Sequence, residues 1–184
     1  MNPAPGSVRI IGGRWRGTRL PVAELAGLRP SSDRVRETLF NWLGQTLDGQ
    51  TCLDLFAGSG ALGFEAASRG AARVVLVERA PKVLAALADN ARLLHAESRV
   101  ELVRRDALQY LASTSAKFDL VFVDPPYKAG WIGKLTPLLP GVLNESGALY
   151  VEAEHEIDSL GDWQTVRRGR AGEVHYHLLR RGPN

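Results

Sequence analysis

Two short stretches of this chain carry residue types that can do chemistry. The first is Leu53-Asp-Leu-Phe-Ala-Gly-Ser-Gly-Ala-Leu-Gly63, in which Gly58, Gly60 and Gly63 satisfy G-x-G-x-x-G. Glycines at this spacing let a ligand approach the backbone, though alone they are a weak signal for a dinucleotide. Asp54 would repel a pyrophosphate and could attract an ammonium, which points away from dinucleotides. Glu78 lies 18 residues beyond Gly60, where it can accept hydrogen bonds from a ribose diol. The second stretch is Asp124-Pro125-Pro126-Tyr127. Two prolines fix φ and remove two N–H donors, leaving a stiff turn that presents carbonyl oxygens. An exocyclic amine on a nucleobase is a poor nucleophile because its lone pair is delocalised into the ring. If the Asp124 carboxylate and the Pro125 carbonyl take its two N–H bonds, the nitrogen can pyramidalise toward an electrophilic carbon. Catalysis is then mostly positioning with electrostatic support, and Tyr127 offers an aromatic face to a splayed base.

S-adenosylmethionine has the parts that the first stretch asks for: a ribose diol, an ammonium-bearing tail and no phosphate. Phe56 and Ala57 belong to the same loop, and Asp106, just after the expected third strand, is placed to accept from the adenine amine. The bland alternatives are a glycine turn that merely allows tight strand–helix packing and a proline-rich strand end with a half-buried tyrosine.

These residues need elements to position them. From residue 51 onward short apolar runs alternate with helical segments, which predicts an α/β fold with a mostly parallel sheet. Strands are expected at Thr51–Phe56, Ala72–Val77, Arg99–Val103, Phe118–Val123 and Ala148–Glu152. Helices are expected at Ala61–Arg69, Pro81–Leu94, Ala107–Ala112 and from Tyr127 to near Leu139. Two final strands, Trp163–Arg168 and Val174–Leu179, should pair antiparallel at one edge. On this plan the Gly loop and the Asp-Pro-Pro turn end neighbouring strands and share one crevice. Residues 1–50 break the rhythm. Val8–Ile11 and Trp15–Leu20 flank Gly12-Gly13 as a hairpin, and Pro30-Ser-Ser-Asp33 supplies cap chemistry for a helix through about Leu47. That segment reads as a small N-terminal extension packed on a main domain of residues 51–184.

Composition bounds the rest. The chain has 184 residues, 45% hydrophobic and 23% charged, which fits one soluble domain and excludes collagen-like and disordered classes. No stretch reaches the length of a membrane span, and the opening Met-Asn-Pro-Ala-Pro-Gly lacks the basic start and apolar core of a signal peptide, so a cytoplasmic protein is expected. A single cysteine, Cys52, excludes an internal disulfide framework. The net charge of +3 hides an asymmetry. Residues 1–36 hold seven arginines against two acids, residues 165–184 hold five against one, and the middle holds 11 basic and 17 acidic residues. Basic ends made only of arginine suit phosphate and base stacking, or equally a solvated face.

Asp-Leu-Phe-Ala-Gly-Ser-Gly-Ala-Leu-Gly63, Asp-Pro-Pro-Tyr127, Ile10-Ile-Gly-Gly-Arg-Trp-Arg-Gly17 and Arg29-Pro-Ser-Ser-Asp-Arg-Val-Arg-Glu-Thr-Leu-Phe-Asn-Trp42 together resemble the bacterial 16S rRNA guanine-N2 methyltransferases of the RsmD type. The likeness covers nearly the whole chain. Asp-Pro-Pro-Tyr is shared with enzymes that methylate adenine or cytosine amines and does not choose the base; the N-terminal segments are more specific. The resemblance implies a Rossmann-like class I methyltransferase fold and S-adenosylmethionine as cofactor. It further implies one guanine target (guanine-966 in the family's rRNA numbering) on an assembled or partly assembled 30S subunit. By position, Asp54–Gly60, Glu78 and Asp106 match the cofactor site, with Thr38 a further contact from a helix lying over the cofactor. Asp124–Tyr127 match the catalytic turn. Arg9, Arg14, Arg16, Arg19, Arg34 and Arg36 could hold RNA phosphates, and Trp15 could stack or pack its hairpin.

Other residues read as structural. Cys52 sits inside a strand; His175 and His177 have no third metal ligand at a suggestive spacing; Glu152–Asp158 is an acidic run whose first member could edge the pocket. Neither metal nor membrane is expected, and the protein is expected to be a monomer. Competing classes are a DNA or RNA adenine-N6 or cytosine-N4 methyltransferase, a non-catalytic RNA-binding module and, more distantly, a nicotinamide dehydrogenase.

Overall fold

The computed structural model describes residues 6–24, 32–127 and 129–183. Its centre is an eight-stranded sheet in the order β5-β4-β3-β6-β7-β10-β9-β8. The first five positions are parallel: β5 (Val100–Val103), β4 (Arg73–Val77), β3 (Thr51–Asp54), β6 (Phe118–Val123) and β7 (Leu143–Ala153). β10 (Val174–Arg181), β9 (Trp163–Ala171) and β8 (Ser159–Leu160) continue it antiparallel, as the alternation in the last 25 residues predicts. The central parallel strands β3 and β6 are largely apolar on both faces because helices cover both, while the edge strand β5 exposes Glu101. On one side α1 (Asp33–Leu43), α2 (Ala61–Ser68) and α3 (Pro81–Leu93) pack over Cys52, Val74, Leu76, Phe122 and Tyr150. On the other, α4 (Ala107–Ser113), α5 (Trp131–Leu135) and a 3-10 turn at Leu139–Val142 cover Leu53, Val75, Val121 and Val151.

Expected and observed elements differ where tertiary contacts override local pattern. The first helix stops at Leu43 rather than Leu47, because Gly44 takes φ +99° and ends it. Ser32 caps its start, its hydroxyl accepting from the Val35 N–H at 3.2 Å, while Pro30 and Ser31 of the expected cap lie outside the described residues. β7 begins five residues before Ala148, with a register shift that bulges the Asn-Glu-Ser-Gly segment. The N-terminal hairpin is short, pairing Ser7–Arg9 (β1) with Arg19–Pro21 (β2). Trp15–Thr18 is not a strand, since its loop bonds to α2 instead: the Arg14 N–H donates to the Ser68 carbonyl at 2.8 Å and the Trp15 N–H to the Ser68 hydroxyl at 2.9 Å. Val8, Ile10 and Leu20 of this hairpin share one core with Phe64 and Leu87. No helix among the described residues is long and apolar enough to cross a membrane.

Candidate active site

The strand order reverses between β3 and β6, the position where open α/β sheets bind ligands beyond the carboxyl ends of their strands. Both sequence motifs end there. Asp54 is the last residue of β3 and pairs in register with Phe122, two residues before Asp124. Side chains alternate along a strand, so Asp54, Asp124, Tyr150 and Glu152 all project to the face covered by α1. Phe40 of α1 lies 6.2 Å from Phe122, centroid to centroid, and Trp42 stacks on Tyr176 at 5.3 Å. The first helix therefore lies over this face of β6 and β10.

The Gly loop is built by backbone geometry. Gly60 caps α2 with φ +80°, and a Cβ there would come within 2.5 Å of the Phe64 ring. A Cβ on Gly63 would meet Leu76 at 2.1 Å, so this glycine lets α2 settle onto β4. The Gly58 N–H donates to Glu78 Oε2 at 3.1 Å, and the Ala80 N–H donates to Oε1 at 3.0 Å. Glu78 is thus clamped at the loop where a ribose would sit. Ala57 is anchored by its N–H to the Val77 carbonyl, and Phe56 packs edge-on to Trp131 at 5.2 Å.

Asp54 is the electrostatic centre of the loop. It is 1% exposed; its Oδ2 accepts from the Gly63 N–H at 3.2 Å, whereas its buried Oδ1 has no hydrogen-bond partner among the described residues. Burial pushes its pKa up to about 7, against the N–H groups of Gly63 and Phe56, and the nearby charges of Glu78 and Glu152 push the same way. A buried acceptor without a donor is a strong demand for one.

The remaining expected residues sort by what they touch. Asp106 caps α4, Oδ1 accepting from Leu108 at 2.9 Å and Gln109 at 3.3 Å, so it stands at the carboxyl end of β5 with a structural duty as well. Thr38 is half-buried and its hydroxyl donates to the Arg34 carbonyl at 3.0 Å, which spends its proton inside α1. Asp124 and Pro125 are partly buried, Pro126 is exposed, and Tyr127 is 52% exposed at the turn. Arg14, Arg16, Arg19 and Arg34 are exposed, and Arg9 pairs with Asp33 at 3.1 Å. Trp15 packs partly against the hairpin core.

Arg36 corrects the expected RNA surface. It is 1% exposed and donates to the Arg9 carbonyl, to Glu65 at 3.2 Å and to Asp33 at 2.7 Å. A buried guanidinium held this way cannot reach a phosphate. Its partner Glu65, fully buried on α2, also accepts from the N–H groups of Ile11 and Gly12 and from Arg69. The sequence carries a signal for this knot, a lone acid inside the apolar run Ala61-Leu-Gly-Phe-Glu-Ala-Ala67. Tyr150 was likewise unforeseen: its buried hydroxyl donates to Glu152 at 2.7 Å, which seats that acid at the crevice rather than in solvent. Farther along the run, Glu156 and Asp158 pair with Arg168. Cys52 is buried, its thiol pushed up to about 12, chiefly by desolvation. His177 accepts the Ile157 N–H at Nε2, so Nδ1 carries the proton and donates to the Val151 carbonyl; burial lowers its pKa, and the ring is a packing group.

A parallel sheet that reverses beside a glycine corner, closed by the antiparallel strand β10, defines a Rossmann-like fold of the class I methyltransferase type. The family model described as conserved hypothetical protein 95 matches residues 8–180, and the chain belongs to that family. It is similar to ribosomal RNA small subunit methyltransferase D of Escherichia coli strain K12, 44% identical over 96% of this chain and 91% of the relative. The protein of the same name from Haemophilus influenzae is 40% identical over 95% of this chain and 94% of its own length. The solved structure of yhhF from Escherichia coli superimposes with a TM-score of 0.87 at 44% identity, covering 97% of this chain and all of that one.

Proposed function

We propose that this protein is an S-adenosylmethionine-dependent methyltransferase of small-subunit ribosomal RNA that modifies the exocyclic N2 of a guanine, on an assembled or partly assembled 30S subunit. The observation that carries the reading is the shared crevice: the Gly loop and the Asp-Pro-Pro turn end adjacent strands, with Asp54 and Asp124 on one face. The cofactor's tail ammonium answers the buried Asp54 oxygen that has no donor among the described residues. Glu78 is placed for the ribose hydroxyls and Asp106 for the adenine amine, with Phe56, Ala57, Gly58 and Gly60 forming the backbone cradle. When bound, S-adenosylmethionine supplies a methyl group on sulfonium, whose carbon–sulfur electron pair returns to sulfur as the new carbon–nitrogen bond forms. Asp124 and the Pro125 carbonyl hold the two amine hydrogens and aim the nitrogen lone pair outward. Pro126 stiffens that turn, Tyr127 stacks the splayed base, and the proton released after alkylation passes to Asp124 or to water. Arg9, Arg14, Arg16, Arg19 and Arg34 contact the surrounding phosphates.

Purified protein should methylate 30S particles from cells lacking it, and nucleoside mass spectrometry should find N2-methylguanosine in 16S rRNA. Asp124→Ala should lower turnover by about a hundredfold or more, the scale of a lost transition-state acceptor. Methyl groups appearing only on DNA, on adenine or on cytosine would overturn the guanine reading, and full turnover by Asp124→Ala would overturn the role of the turn.

A further inference from the structure

The Asp-Pro-Pro turn grips an amine and nothing more, so an amine on adenine or cytosine would suit it equally; the choice of base must be made beside it. We propose that Glu152 makes that choice, its carboxylate accepting the N1–H of the guanine whose N2 amine Asp124 holds. This inference rests on the guanine-N2 reading above.

Two observations bear on Glu152. Val123 pairs in register with Val151, so Asp124, the first residue beyond β6, and Glu152 of β7 both follow that pair. Alternation puts both on the face that carries Asp54 and Tyr150. The Tyr150 hydroxyl, fully buried, donates to Glu152 Oε1 at 2.7 Å and sets the carboxylate's position, while Glu152 itself keeps 8% exposure at the strand end. Burial and the neighbouring Glu152 charge keep the Tyr150 phenol protonated, so it remains a donor.

A carboxylate has about four acceptor sites, so the bond from Tyr150 does not by itself exhaust Glu152. On guanine the atom next to the 2-amino group is N1–H, a donor. On adenine and cytosine the ring nitrogen next to the reactive amine is a bare acceptor. A carboxylate at that position therefore attracts guanine through a charge-assisted bond and repels the other two through lone-pair contact. Reading a flipped base by its Watson–Crick edge is how enzymes that work on extruded bases select them.

The test uses small subunits reassembled around 16S rRNA in which a ligated synthetic segment carries either guanine or 2-aminopurine at the target. 2-Aminopurine keeps the reactive amine but has no proton on N1. The wild type should favour guanine by about a hundredfold or more in kcat/KM, since a site built to hydrogen-bond a group rejects analogues lacking it. Glu152→Gln can donate its amide N–H to the bare N1, so the preference should shrink at least tenfold, with thermal unfolding and cofactor affinity near wild type. Tyr150→Phe, which unseats the carboxylate without removing it, should shrink the preference less, and it decides the matter if Glu152→Gln does not fold. Guanine methylation with an unchanged preference in the folded variant overturns this inference alone. A wild type that leaves guanine N2 unmethylated overturns the guanine reading and takes this inference with it.

Discussion

Glu65 and Asp54 are both buried carboxylates, 0% and 1% exposed, and the chain treats them in opposite ways. Glu65 receives donors on both oxygens: the Ile11 N–H and Arg36 on Oε1, the Gly12 N–H and Arg69 on Oε2. Asp54 receives the Gly63 N–H on one oxygen, and the other is buried without a partner among the described residues. Burying a charge is expensive unless it is paired and hydrogen-bonded. Where the chain supplies every partner, the acid is a joint, here tying the N-terminal hairpin and α1 to α2. Where no partner is found among the described residues, as at Asp54 Oδ1, the acid is the one that the proposed function assigns to the cofactor's ammonium.

The sharpest way to break this contrast is to remove Glu65. Glu65→Ala strands Arg36 and Arg69 and unties the Ile11–Gly12 backbone, so unfolding stability should fall by about 3–5 kcal/mol, the usual cost of breaking a buried ion pair from one side. Urea unfolding measures it. A loss below about 1 kcal/mol would mean that the knot is incidental to the fold.

Asp54→Asn should do the reverse. Cofactor affinity should drop about ten- to hundredfold, since a charge-assisted bond worth roughly 1.5–3 kcal/mol is lost, while the protein stays folded. The pH dependence gives a second reading. Asp54 titrates near 7 when folded, well above the ordinary carboxylate value of 3.8. Between those values the folded state holds the extra proton, so this group's contribution to stability is full at low pH and is lost as pH rises toward 7. Asp54→Asn should flatten that part of the stability profile. In the wild type, an incoming ammonium favours the ionised carboxylate, so binding near pH 6 should release a proton, seen by calorimetry in buffers of different ionisation enthalpy. Proton release that persists in Asp54→Asn would assign it to another group.

The legibility of these two acids in the sequence differs for a physical reason. Asp54, Gly58, Gly60, Glu78 and the Asp-Pro-Pro turn sit on consecutive strand–loop–helix units, where period and turn chemistry report position directly. The parallel order and the antiparallel end of the sheet follow from the same rhythm. Glu65 pairs with residues 29, 53 and 54 positions earlier in the chain, and no local pattern encodes such a pairing. The second strand of the hairpin is short for the same cause: Trp15–Thr18 reads as a strand, yet the N–H groups of Arg14 and Trp15 turn to Ser68 of α2 and only Gly17 and Thr18 bond back to Ile10. Tyr150 and Glu152 lie between these cases. Two residues apart on a strand, they must share a face, but only the register with β6 sets them beside Asp124.

The smallest expected effect separates the arginines by the same logic. Charge counting treats Arg14, Arg16 and Arg36 alike, whereas the structure buries Arg36 and leaves the other two exposed. A phosphate contact releases condensed counterions, so each lost contact lowers the slope of log affinity against log salt by about 0.7 for single-stranded nucleic acid. Arg14→Ala with Arg16→Ala should therefore flatten the slope for binding 16S rRNA by about 1.4, with thermal stability near wild type. Arg36→Ala should leave the slope intact in whatever fraction remains folded and lower the unfolding temperature, because its charge partners are inside the protein. A slope that moves with Arg36 and ignores Arg14 and Arg16 would place the RNA on another face, and the basic strands β9 and β10 would be the next surface to neutralise.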